Sequence, residues 1–141
     1  LLTLTVAALT SAAIATSAMA ANPVEDRQAS MKAIAAGMKD SSGLLGAFDA
    51  AKAKTAMASI SSNAKKAKGL FPAGSDKDPK SEADPKIWQN KADFDKRLAE
   101  LVTLADAAGK ATSADDFKPA FQKVGGTCKG CHDVYRMKKK S

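Results

Sequence analysis

Apolar residues recur at helical spacing in four stretches of the chain, and no segment alternates convincingly with period two. The first stretch opens at Asn22-Pro23, a helix cap followed by proline at the first helical position, with Glu25 in the first turn. Its apolar face is expected to run Val24, Met31, Ala35 and Met38, with Ile34 beside it, and Gly43 and Gly46 close it. The second runs from about residue 47 to Lys68 on Ala53, Met57, Ile60, Ala64 and Ala67, with Gly69 as its stop. A long loop follows, LFPAGSDKDPKSEADP, rich in proline and charge. The third helix begins at Pro85 or a few residues later and ends at Ala108, on Phe94, Leu98, Leu101, Ala105 and Ala108. The fourth is capped by Ser113 with Asp116 three residues on. Its stripe is Phe117, Phe121, Val124, Cys128, Cys131 and Tyr135, and Pro119 falls in its early turns. Two short connections and one long one predict an all-α, antiparallel four-helix bundle with the long loop between helices two and three.

Composition narrows the picture. Hydrophobic residues make up 45% of the 141 but aromatics only 5%, so alanine carries much of the apolar count. Residues 1–20 bear no charge and end in Ala18-Met19-Ala20, the pattern of a cleaved secretory leader without its basic head. A Thr-, Ser- and Ala-rich segment is a poor membrane anchor, so no stable span is expected after cleavage. The mature domain is then residues 21–141, exported to the periplasm. Net charge is +7, and from residue 110 onward eight Lys/Arg stand against three Asp. Charge gathered around the fourth helix points to an acidic protein partner. The aromatics among it, Phe117, Phe121 and Tyr135, belong to the apolar stripe, which argues against nucleic acid.

The stretch CKGCH uses both cysteines and the only histidine. On a helix, Cys128, Cys131 and His132 stand at i, i+3 and i+4, on one face. A C-x-x-C-H run reads as covalent c-type haem attachment: two thiols add to the two vinyl groups along one porphyrin edge, and the next residue offers an imidazole to the iron. Two other chemistries stay open. Zinc wants four Cys/His ligands and finds three; a redox dithiol wants a strand-turn-helix setting. A disulfide across so small a loop would add little stability. No acid–base pair, activated nucleophile or substrate motif suggests an enzyme. Gly125 and Gly126 weaken the fourth helix, and close approach to a neighbour or a cofactor is their expected reason.

Arg27-Gln28 and Met31 in the first helix, Leu70-Phe71-Pro72 and Gly74-Ser75 in the loop, Ile87-Trp88 before the third helix, and Val124-Gly125 leading into CKGCH and Arg136 resemble the class II c-type cytochromes, namely cytochrome c prime and its low-spin, methionine-ligated relatives. The resemblance spans the mature chain, and the C-terminal place of C-x-x-C-H is its specific mark. It implies an antiparallel four-helix bundle holding one haem c per chain, anchored by Cys128 and Cys131 with His132 as proximal ligand. It implies that Met31 faces the distal side. A bound Met31 sulfur makes a low-spin electron carrier; a non-bonded Met31 leaves a high-spin site for nitric oxide or carbon monoxide. Met38, two turns on, is the competing sulfur. The resemblance further implies that Arg27 and Gln28 serve a haem propionate or its surroundings, that Arg136 lies near the proximal side, and that two copies pair through helices one and two. Trp88 reads as a packing residue.

Overall fold

The computed structural model describes residues 22–138. The expected leader and the last three residues lie outside them. Five helices follow one another: α1 Pro23–Gly43, α2 Ala50–Lys68, α3 Lys86–Gln89, α4 Lys91–Ala108 and α5 Ala114–Tyr135. Extended pairing among the described residues is confined to one isolated bridge between Ala83 and Arg136.

Local chemistry sets the boundaries. Asn22 Oδ1 accepts from the amides of Val24 and Glu25 at 3.0 and 3.4 Å. Ser113 Oγ accepts from the Asp116 amide at 3.1 Å and donates to its carboxylate at 2.8 Å. Asp49 Oδ1 accepts from the Lys52 amide at 2.9 Å and so starts α2 three residues later than the apolar pattern suggests. The expected third helix divides: residues 86–89 make a single turn, and Asn90 caps α4 afresh through the Asp93 amide. Pro119 lies within α5 without ending it.

The helices pack in the order α1 on α2, α2 on α4 and α4 on α5, with no comparable packing of α1 on α5. The ring of helices is thus open on one side. The main core joins Ile34, Met57, Ile60, Leu101, Phe117 and Val124. A second cluster, nearer the loop, joins Phe71, Ile87, Phe94, Leu98 and Tyr135.

The expected face of α1 needs correction. Its buried residues are Val24, Arg27, Ser30, Ile34, Gly37 and Ser41, whereas Ala35 is exposed and Met31 and Met38 are half-buried. Small residues dominate that face because α1 lies close against α2. A Cβ at Gly37 would stand 2.8 Å from Ile60 Cγ1 and 3.1 Å from the Ala56 carbonyl, so only glycine fits. The expectation for Gly125 and Gly126 also fails within the protein. A Cβ at Gly125 would meet only the Met38 methyl, at an ordinary 3.6 Å, and one at Gly126 nothing within 4 Å.

The crossover loop is tied down at both ends. The buried Arg27 donates through Nη1 to the Leu70 carbonyl and Ser75 Oγ, and through Nη2 to the Ser75 carbonyl and Ser81 Oγ, at 2.7–3.2 Å. Its guanidinium also lies over the Phe71 ring. At the far end the Asp84 amide donates to the Tyr135 carbonyl and the Met137 amide to that of Glu82.

Candidate cofactor site

A cleft of about 470 Å³ occupies the open side of the bundle. Met31 and Ala35 of α1 form one wall, Phe94 and Leu98 of α4 the floor, and Cys131, His132 and Tyr135 of α5 the other wall; Phe71 and Ala83 close it toward the loop. Gln28, Lys32, Glu82 and Arg136 bring charge and polarity to the lining. An apolar slot with charged groups beside it suits a flat macrocycle that carries carboxylates on one edge.

Of the three motif residues, Cys131 and His132 line the cleft and Cys128 does not. Cys131 lies in the cleft, half-buried against the second cluster. Cys128, one turn earlier, is half-buried against the main core and not part of the lining. Both are free thiols. Burial pushes the pKa of each upward, and for Cys131 the Arg97 charge opposes that rise. A zinc ion requires thiolates, so this environment works against it. Among the described residues, no three His, Cys, Asp or Glu side chains gather as a metal-binding set. Thioether anchorage asks that two thiols share a helix face at this separation, which the i, i+3 spacing supplies.

His132 lines the cleft but stays exposed; its partial desolvation lowers the imidazole pKa, and the Arg136 cation lowers it further. The imidazole is therefore favoured in the neutral form that binds a metal. Arg136 itself is engaged: its Nη2 and Nε donate to Glu82 Oε2 at 2.6 and 3.0 Å.

Met31 lies in the cleft with His132, on the facing helix. Met38 packs against the main core, near Gly125, and does not line the cleft. Arg27 and Gln28 both reach the cleft, yet both are committed to the loop, Gln28 through its side-chain amide to the Lys80 carbonyl at 2.7 Å. Trp88 donates its indole N–H to the Phe71 carbonyl at 3.1 Å and packs beside it.

Two residues that the apolar pattern leaves silent also touch this region. Asp93 Oδ2 accepts from Tyr135 Oη at 2.6 Å and from Arg97 Nε at 2.7 Å. The tyrosine hydroxyl first, then Arg97, holds the Asp93 carboxyl below the usual carboxylate range. Arg97 Nη1 donates to the Gly130 carbonyl at 3.2 Å, inside the C-x-x-C-H motif. The i, i+4 spacing of 93 and 97 announces an ion pair, but not what it leans on.

The chain is similar to known proteins in sequence and fold. Residues 22–136 match the family described as Cytochrome C'. The cytochrome c-556 of Agrobacterium fabrum (strain C58) is 39% identical over 97% of this chain and 96% of that protein. The structure of cytochrome c' from Rhodopseudomonas palustris superposes with a TM-score of 0.79 at 35% identity, covering 85% of this chain and 99% of that one. Oxidised cytochrome c556 of R. palustris superposes at 0.73 with 28% identity, covering 84% of this chain and 98% of that one.

Proposed function

The chain belongs to the cytochrome c' family, whose members carry covalently attached haem c, and from that premise we propose that it is an exported electron carrier with Met31 as sixth ligand. Bound haem c supplies a one-electron iron centre. Cys128 and Cys131 anchor it by thioether bonds, and His132 offers the neutral imidazole. The observation that carries the reading is that Met31 of α1 and His132 of α5 line one cleft. A thioether opposite histidine favours a low-spin centre of raised potential. Arg27 and Gln28 serve the propionate surroundings by holding the loop beside them.

Met31→Ala tests the ligation. The variant is expected to lose its low-spin bands entirely, to bind carbon monoxide, and to be harder to reduce. A spectrum identical to that of the parent would remove Met31 from the iron.

The partner is an acidic redox protein, drawn to the lysines around α5. Electron-transfer rates should fall about tenfold from low to high salt, within the usual range for steered encounters; rates that ignore ionic strength would exclude the docking. The reading places the protein in the periplasm, and among the described residues no helix is long and apolar enough to cross a membrane. Two copies can pair through α1 and α2, where Ala33, Ala36 and Ala56 line a groove of about 900 Å³. Sedimentation of the holoprotein as a single chain would remove that pairing.

A further inference from the structure

We propose that Asp93 and Arg97 of α4, joined to Tyr135 of α5, form a charge bracket that fixes the turn bearing Cys131 and His132 and sets two opposed, balanced charges beside the haem. The inference rests on the haem reading above. α4 grips α5 at two points, one on each side of the ligand-bearing residues. Arg97 Nη1 holds the Gly130 carbonyl at 3.2 Å, and Asp93 Oδ2 holds the Tyr135 hydroxyl at 2.6 Å. The two grips are one unit, because Arg97 Nε donates to that same Asp93 oxygen at 2.7 Å. Tyr135 is 5% exposed, its ring meets Phe94 edge-on at 5.4 Å, and both rings line the cleft. The hydroxyl's only described partner is the carboxylate, so the bracket also satisfies a polar group at the cleft wall.

Charge gives the bracket its second effect. Arg97 is always a cation, and Asp93 is held as an anion by two donors. Reduction adds an electron, so a nearby cation favours the reduced form and a nearby anion opposes it. As a pair they nearly cancel. Removing one exposes the other, and the two removals must act with opposite sign. A residue with a purely structural role has no reason to do so. Beside the turn Lys129 pairs with Asp133 and Arg136 with Glu82, while Lys138 acts on Asp133, Lys96 on Asp93, and Lys32 lines the cleft; all of these stay constant across the variants. The side chains of Arg97 and Asp93 are each 33% exposed, so water screens part of the effect.

Potentiometric titration of the haem-loaded protein tests this, with haem per chain measured from the Soret band. Arg97→Met should disfavour reduction about threefold, ~28 mV at 59 mV per tenfold for one electron. Asp93→Asn should favour it by a similar factor, and the double variant should return near the parent. Arg97→Lys retains the charge and should stay near the parent potential, which decides the matter even if Arg97→Met holds no haem. Shifts of one sign, no shift, or an Arg97→Lys shift as large as that of Asp93→Asn overturn the bracket while leaving the haem reading intact. A parent protein without a Soret band overturns both.

Discussion

A protein carrying Cys128→Ala together with Cys131→Ala is expected to lose covalent haem and, with it, cooperative thermal melting. Ala35 on one wall of the cleft is exposed and Met31 beside it half-buried, apolar surface that a bound macrocycle would cover. The bundle is open between α1 and α5, and alanine supplies much of the core elsewhere. A cofactor bound only by the native chain stabilises that state by mass action, and covalent attachment makes its effective concentration very high. Each cysteine is only half-buried, and loss of one sulfur changes little apolar area, so the truncations themselves cost about 1 kcal/mol or less each. The larger loss comes from the missing macrocycle. Circular dichroism should show reduced helicity and a broad, shallow transition. A haem-free variant that melts sharply near the parent temperature would show that the helices support themselves.

Replacing Arg27 with methionine is expected to destabilise the protein by about 2–4 kcal/mol and to free the crossover loop. Hydrogen bonds to a charged group contribute roughly 1.5–3 kcal/mol each, though not additively when they share one group. The substitution strands two carbonyls and the hydroxyls of Ser75 and Ser81, of which Ser81 is buried. Burial lowers the Arg27 pKa while Asp78 and Asp76 oppose that fall, and an arginine remains a cation throughout. Lysine should not rescue it, because one ammonium cannot serve acceptors spread from residue 70 to residue 81. Denaturant titration gives the stability, and limited proteolysis reports the loop. A change within about 0.5 kcal/mol, with cleavage between residues 70 and 84 unaltered, would show that the loop is held by its packing alone.

What the chain disclosed in advance was local. Asn22, Ser113 and the C-x-x-C-H spacing act over three or four residues; Asn22 and Ser113 cap their helices, and Cys131 and His132 line the cleft. The stripe of α5 was legible because one face of that helix meets both the core and the cleft. α1 was misread because it serves two neighbours. Beside Val24 and Ile34 its buried residues are serine, glycine and an arginine bound to the crossover loop, which no hydrophobic period reveals, while Ala35 and Met31 line the cleft. The bracket of Asp93 and Arg97 was silent for a related reason. Its partners, Gly130 and Tyr135, lie more than thirty residues away in sequence, and pairing at that separation follows from packing. Among protein neighbours the close approach falls at Gly37 of α1 rather than at Gly125 or Gly126.

The central claim is that one haem c is held between α1 and α5 with His132 on one side and the Met31 sulfur on the other. A reduced-minus-oxidised visible spectrum of the purified protein, recorded with and without carbon monoxide, tests it most directly. Sharp low-spin bands that carbon monoxide leaves unchanged are the predicted result. A broad high-spin spectrum that shifts on adding the gas would contradict ligation by Met31, and a spectrum without a Soret band would contradict the haem itself.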